Sequence, residues 1–444
     1  MPVSAAATFK AWLEAFNDPD PASLDAFVSR RGDIARDAEA WARYRRQASP
    51  LTLLKVDEAG ANGIDATVQD RWDRCLQIKL TLASEPPHPI TTLRAALIPL
   101  PEDARPARLD WPDLKRVLEA KLAEGIAKDW MSGAVVVTRN GETLFETAYG
   151  DADREANIPN TLKTRFRMGS MNKMITGVAM LQLDEASRVG LDDPVGHHLS
   201  DYPSRAFAET VTIRHLLNHT GGAGDFFGPE FDAHRRELCD LADYVALFGH
   251  RDPEFEPGSQ HKYANYGYMV LGRVIEAVSG QSYDDYVATN VFTPAGMTET
   301  GALPESSPVP SRAVGYMDSP SGLTRNDATL PVRGTSAGGG YSTVGDLVRF
   351  ADALTAGDLL DAAHTAMIMN DGVDTGFGGK YGAGFGKDSD EGGRWLGHSG
   401  GAPGQNGILR IFPDSGYVVA ALSNGDPPQA ICLGDFVGNR LKLV

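Results

Sequence analysis

The sequence predicts an α+β fold in two domains, a small one over residues 1–105 and a larger one over 106–444. Three observations predict it. The first hundred residues read as helices followed by a run of strand candidates, an order that gives α+β rather than alternating βαβ units. A proline-bearing stretch, Pro99-Leu100-Pro101-Glu102-Asp103-Ala104-Arg105-Pro106, then separates two regions of different charge. Proline removes donors and favours extended chain, so this reads as a linker, with the boundary near Arg105 to Asp110. Beyond it, strand patterns lie at both ends of a long helical middle. One sheet is then assembled from the two ends, and the helices form a second lobe.

In the small domain, apolar spacing from Phe9 to Phe27 predicts one amphipathic helix over about 5–30, and a second over about 36–47. Strand candidates follow at Leu51–Val56, Ile64–Arg71, Cys75–Ala83 and Thr91–Pro99. The phrase Trp12-Leu13-Glu14-Ala15-Phe16-Asn17, then Leu24-Asp25-Ala26-Phe27, resembles the opening helix of the SnoaL-like family. That resemblance implies a cone, a sheet curled around a helix to enclose a pocket. Trp41, Tyr44 and Trp72 could line such a pocket, but aromatics in a small domain serve first as plain core. In the larger domain a helix is expected over about 111–130. Ala134–Arg139 and Thr143–Ala148 flank Asn140-Gly141, the strongest short hairpin signal. Helical patterns dominate from Ser170 to about Ala295, strands return at Gly407–Phe412 and Tyr417–Ser423, and a last helix starts near Ile431. Glycine is 48 of 444 residues, above the usual share, which points to tight turns around a site.

Composition excludes several functions. A hydrophobic fraction of 42% can bury a sizeable core, so the chain is not dominated by disorder. The net charge is −17, of which residues 1–110 carry only −2. A polyanion is repelled by such a field, so no nucleic-acid partner is expected. No run approaches the ~18 apolar residues of a membrane helix. Cys75, Cys239 and Cys432 are three, far apart and without CxxC spacing, which excludes a disulfide framework or a zinc ribbon. The first thirty residues carry no export leader; a cytoplasmic location is expected as the sequence stands, a periplasmic or secreted one if a leader was trimmed.

The chemistry lies in three short patterns. The first is Ser170-Met171-Asn172-Lys173. A serine hydroxyl needs a base within hydrogen-bond reach, and residues three apart share a helix face. Met171 to Leu183 is an uninterrupted helical run, so Ser170 sits at its amino end, where unpaired amides favour an oxyanion. Lysine becomes a base only when burial lowers its pKa from ~10.4. Alone, the pattern reads as a capped helix start with an exposed lysine. The second is Tyr263-Ala264-Asn265: a phenol can shuttle a proton, and an asparagine can hold a lysine or a substrate carbonyl. Alone, it reads as a turn with a packed tyrosine. The third is Gly397-His398-Ser399-Gly400-Gly401, whose small residues let a strand edge approach a substrate and offer an amide to an oxyanion hole with that of Ser170. It also satisfies Gly-x-Ser-x-Gly, but Ala402-Pro403-Gly404-Gln405 is no helix start and no histidine follows His398, so the nucleophile-elbow reading fails.

Together these residues resemble the serine β-lactamase and penicillin-binding-protein superfamily, in its class C and family VIII esterase branch. Ser170-x-x-Lys173 matches the first motif, Tyr263-x-Asn265 the second, and His398-x-Gly400 stands in place of the third. Phe166-Arg167-Met168-Gly169, Leu191-Asp192-Asp193-Pro194-Val195, Thr212 to Gly222, Tyr266-Gly267-Tyr268 and Gly338 to Thr343 agree in order around them. The resemblance implies a β-lactamase-like fold over residues 112–444, an antiparallel sheet flanked by helices plus a helical lobe. It further implies Ser170 as the acylated nucleophile, Lys173 as its base and Tyr263 as the proton shuttle. Asn265 would position Lys173 and the substrate, and the amides of Ser170 and Gly401, beside Gly400, would form the oxyanion hole. The departure is His398, where the family's β-lactamases carry a lysine that grips a substrate carboxylate; a histidine is mostly neutral at pH 7.

The expected activity is therefore that of a serine hydrolase working through an acyl-enzyme, an esterase on short acyl esters. The alternatives are a D-amino-acid amidase or carboxypeptidase, a weak β-lactamase, or a sensor that only binds its ligand. Intact Ser170, Lys173 and Tyr263 argue against the sensor. The substrate is a small ester, amide or lactam, and no cofactor is expected. His215 and His219 have i,i+4 spacing, but no acidic third ligand lies between them, so no metal is expected, and His197-His198 is expected at the surface. The near-neutral N-terminal domain is compatible with a small-molecule module or a homodimer face.

Overall fold

The structure is a computed structural model and describes residues 4–29, 38–319, 322–376, 378–390 and 393–443. The chain divides into two compact units. The first comprises Met1–Asp110 with Asp318–Thr324 and Asp435–Arg440; the second comprises Trp111–Met317, Arg325–Gly434 and Leu441–Val444.

The first unit opens with α1 (Ala5–Asn17), α2 (Pro21–Ser29) and α3 (Ala38–Ala48). The single helix expected over 5–30 is thus two. Pro19 and Pro21 lack the N–H that an uninterrupted helix needs. The Asp18 and Asp20 carboxylates instead accept the amides of Asp20 and Ala22, each at 2.9 Å, and start α2 afresh. Residues 30, 36 and 37 of the two expected helices lie outside the described residues. Four strands, β1 (Thr52–Ala59), β2 (Gly63–Gln69), β3 (Cys75–Leu82) and β4 (Ile90–Ile98), form an antiparallel meander in that order. The aromatics are core. Trp12 packs against Phe9, Phe16 and Trp41 with centroids 5.3–5.7 Å apart, Tyr44 lies on Phe16, and Trp72 is 2% exposed with its indole N–H on the Gln47 carbonyl.

In the second unit α4 (Trp111–Ala127) leads into the hairpin β5 (Gly133–Arg139) and β6 (Glu142–Tyr149). Asn140 and Gly141 both take positive φ, 50° and 78°, as a two-residue hairpin turn requires. The eight-stranded antiparallel sheet runs in the order 373–374, 380–382, 385–390, 393–402, 405–412, 417–423, β5, β6. The C-terminal strand Tyr417–Ser423 pairs with β5 from Tyr417↔Arg139 to Ser423↔Gly133, so the two ends of the unit close one sheet. Every residue of Tyr417–Ser423, and all of β5 except Arg139, is buried, so these strands are covered on both faces.

The helical middle centres on α5 (Asn172–Glu185), buried on all sides from Asn172 through Leu181. Among the described residues no helix is long and apolar enough to cross a membrane. Neighbouring backbone touches α5. A Cβ on Gly177 would lie 1.9 Å from the Ala383 carbonyl oxygen, so only glycine admits that approach. Gly177→Ala, which in an exposed helix raises stability, is expected here to lower it by about 1–3 kcal/mol through overpacking. A urea midpoint equal to or above that of the wild type would overturn the close contact.

Candidate active site

Gly169 adopts φ +55° and opens a short 3-10 turn, Gly169–Met171, that runs into α5. That turn sets Ser170 at the mouth of the helix and points Lys173, one turn on, back beneath it. The Lys173 amine is 3.3 Å from the Ser170 hydroxyl, donates to Asn265 Oδ1 at 2.7 Å, and donates to the Ala337 carbonyl. Its partners are neutral, and the side chain is fully buried. Burial penalises the ammonium and pushes the Lys173 pKa down to about 7, with the Asp225 charge opposing.

Tyr263 and Asn265 enter from the start of the helix Asn265–Ser279. The Tyr263 hydroxyl hydrogen-bonds to Ser170, and its ring lies 4.9 Å over the Lys173 amine. Although 39% of the residue is open to the cleft, its hydroxyl is deep enough that burial raises its pKa above that of a free phenol. Asn265 uses both ends of its amide: Oδ1 takes Lys173, and Nδ2 donates to Asp225 Oδ2 at 2.8 Å.

The third pattern lies on strand Gly393–Ala402. Pairing with 385–390 ends at Gly386↔Gly397, which leaves the edge from His398 onward open on that side. The Ser170 turn fills it. A Cβ on Gly400 would sit 1.9 Å from the Met168 carbonyl and 3.1 Å from the Ser170 nitrogen, and one on Gly169 would sit 2.9 Å from the Gly401 nitrogen. Asn406 Nδ2 holds the Gly400 carbonyl at 2.7 Å. The amides of Ser170 and Gly401 therefore come from two adjoining segments, and both residues line one cleft of about 490 Å³.

His398 itself turns into the protein. Its Nδ1 lies against its neighbour's carbonyl, at Ser399, and its Nε2 lies 3.1 Å from the Tyr381 hydroxyl. Burial and the nearby Lys173 charge push its pKa down to about 3, so the ring is neutral at pH 7. Tyr381 and Tyr268 hydrogen-bond to each other, and Tyr268 donates to the Leu217 carbonyl. His219 packs 4.3 Å from the Tyr263 ring, and its Nδ1 accepts the Ala264 amide at 3.1 Å, fixing the backbone between Tyr263 and Asn265.

The structure thus brings Ser170, Lys173, Tyr263, Asn265, Gly400 and Gly401 together and sets His398 behind them. Sequence reasoning missed Asp225, the Ala337 carbonyl and the Tyr268–Tyr381 pair. Asp225 lies in the segment 223–260, whose path no local pattern reveals. His215 and His219 do not share a helix face: the helix Ile213–Leu217 ends first, and His219 has φ 56°. His215 Nδ1 accepts the Thr212 amide in a capping box. The expectation for His197-His198 is corrected in one half: His197 is 64% exposed, but His198 is tucked against Asp193 at 3.0 Å. Among the described residues the side-chain group with metal-ligand spacing is Glu185, Asp361 and His364, outside the cleft lining; both His364 nitrogens are taken, by Asp361 and Asp184.

Known proteins are similar to this chain in sequence and fold. A family model described as Beta-lactamase matches residues 118–435. Penicillin-binding protein 4* of Bacillus subtilis is 30% identical over 325 residues, 67% of this chain and 69% of that protein. Esterase EstB of Burkholderia gladioli is 34% identical over 220 residues, 46% of this chain and 56% of its own. The crystal structure of a D-stereospecific amidohydrolase from Streptomyces sp. superposes with a TM-score of 0.61 at 27% identity, over 73% of this chain and 97% of that one.

The Lys173 environment makes a stability prediction. Its folded pKa of about 7 lies below the ~10.4 of an unfolded lysine, so between these values the unfolded state binds more protons and stability rises with pH. Relative to Lys173→Met, the unfolding free energy of the wild type is expected to gain about 2 kcal/mol from pH 7 to pH 9. Parallel stability curves for the two proteins over that range would show that the amine is not desolvated.

Proposed function

This chain is a serine hydrolase of the β-lactamase family, and from that premise we propose that it is an esterase on short acyl esters, working through an acyl-enzyme on Ser170. The observation that carries the reading is a serine hydroxyl 3.3 Å from a buried lysine amine whose pKa is about 7. At neutral pH half of that amine is free to accept a proton, which a solvated lysine is not.

In this reading neutral Lys173 takes the Ser170 proton as Oγ attacks the carbonyl carbon. The carbonyl oxygen becomes the oxyanion, between the amides of Ser170 and Gly401. Tyr263, whose raised pKa keeps it a phenol, passes a proton to the departing oxygen as the C–O bond breaks. Water then attacks the acyl-Ser170 ester and gives its proton to the Tyr263 phenolate, while Lys173 returns its proton to the departing Oγ, which releases the acid and free serine. Asn265 holds Lys173 throughout, itself held by Asp225.

Ester preference over a lactam is supported by His398. Where a lysine would present a fixed cation beside the nucleophile, this chain has a neutral ring turned toward Tyr381. An amide substrate is the second reading. It is favoured by the protonated Tyr263 phenol, which can protonate an amine leaving group, and by the likeness to the Streptomyces amidohydrolase.

Two measurements test this. Hydrolysis of p-nitrophenyl butyrate is expected to exceed that of nitrocefin and to fall at least about 10³-fold in Ser170→Ala. Dominant nitrocefin turnover would give the lactam reading precedence, and silence on both would turn the search to D-amino-acid amides or to a ligand-binding role. Second, kcat/KM for the ester is expected to rise with pH up to a limb near 7, as Lys173 loses its proton, and to level above it. A rate flat from pH 6 to 10 would remove Lys173 as the base.

A further inference from the structure

Two arginines line the cleft, Arg167 and Arg235. Arg167 is committed. It makes a two-pronged ion pair with Glu305, at 3.0 and 2.7 Å, and donates to the Ala313 carbonyl at 3.0 Å. Arg235 is different. Among the described residues no carboxylate or carbonyl meets its guanidinium, and its Nε is buried without a hydrogen-bond partner. Arg235 is half-buried, and a planar fork of donors without a carboxylate of its own is matched best by one.

The neighbours say what else the occupant carries. Arg235 follows directly on the short helix Pro229–His234, and the cleft beside it is walled by Phe226, Phe227, Phe231, Tyr244 and Met269. Phe226 lies 4.3 Å from Phe227 and 5.2 Å from Tyr244, so the rings form one continuous apolar surface. Phe227 is nevertheless 59% exposed. The acids do not neutralise Arg235: Glu305 is shared between Arg167 and Arg312, and Asp232, which also lines the cleft, makes no ion pair with Arg235. Nor does His398 compete for an anion, since its ring faces Tyr381.

We propose that Arg235 is a specificity-determining residue that anchors a substrate carboxylate, and that the preferred substrates are esters or amides with an apolar segment ending in a carboxylate. The inference rests on the hydrolase reading above and deepens it. The anion is held from the aromatic wall of the cleft rather than from the strand that carries His398. A chain of net charge −17 disfavours anions in general, so a preference for one must come from a local cation.

The test compares acid and neutral partners of the same ester. One pair is mono-4-nitrophenyl adipate and its methyl ester, with the carboxylate on the acyl side. The other is 4-butanoyloxybenzoate and its methyl ester, with the carboxylate on the leaving group. In at least one pair the wild type is expected to favour the acid about tenfold or more in kcat/KM, mostly through KM. Arg235→Gln should bring that ratio to one or below, and Arg235→Lys should keep part of it. Because the readout is a ratio within each protein, a general loss of folded enzyme cancels. Equal or better turnover of the methyl ester in both pairs, or an acid preference that survives Arg235→Gln, overturns the proposal. If the wild type hydrolyses neither pair, the esterase reading fails on its own, and binding decides. In Ser170→Ala, 4-phenylbutyrate should then bind at least about fivefold tighter than 4-phenylbutyramide by calorimetry, with the difference lost on adding Arg235→Gln. Equal binding in Ser170→Ala refutes the carboxylate anchor.

Discussion

The burial of one amine governs the site. Lys173 is placed on a helix with no solvent-facing side through its first ten residues, and every group that touches its nitrogen is uncharged. An ammonium there has lost water without gaining a carboxylate, so the balance tips toward the neutral form. The second layer preserves that balance. His219, Tyr268, Tyr381 and His398 surround the amine and Tyr263, and burial holds all four in their neutral forms. Asp225 supplies an opposing charge through the amide of Asn265, close enough to bias the lysine and too indirect to pair with it.

Backbone contact does the rest. Ser170 can meet the amide of Gly401 because neither Gly169 nor Gly400 has a side chain to hold the turn away from the strand edge. The loop that accepts the Lys173 amine is held by the same helix: Asn172 donates to the Thr335 carbonyl and Thr176 to that of Ser336, each at 2.7 Å. Ser170, Lys173 and the amides of Ser170 and Gly401 are therefore positioned by the first turn of α5 and by what that turn touches. A change in the packing of α5 is felt at all three together.

How much of this was legible depends on range. Ser170 and Lys173 could be paired from a spacing of three, and the Asn140-Gly141 hairpin from two residues, because helix and turn geometry act locally. The order of three motifs then carried the family. What stayed hidden arrives through tertiary placement: Asp225 and Arg235 from an irregular segment, Tyr381 from a short strand, and the Ala337 carbonyl from a glycine-rich loop. No period or spacing marks such groups. The misread helix over 5–30 has a local cause, since apolar spacing was followed across Pro19 and Pro21, where the chain has no donors to continue. His398 could be recognised as a departure, but only its inward turn shows that the position offers no charge at all.

The closure of the large sheet has a consequence for synthesis. Strand Tyr417–Ser423 sits between 405–412 and β5, so the hairpin that begins this unit waits for a partner made almost at its end. The strand bearing Gly401 also emerges more than two hundred residues after Ser170. A chain still leaving the ribosome therefore carries serine, lysine and tyrosine but cannot assemble the pocket that uses them. The cleft is complete only when the carboxyl-terminal strands dock, since Gly401 and Gln405 of its lining come from them.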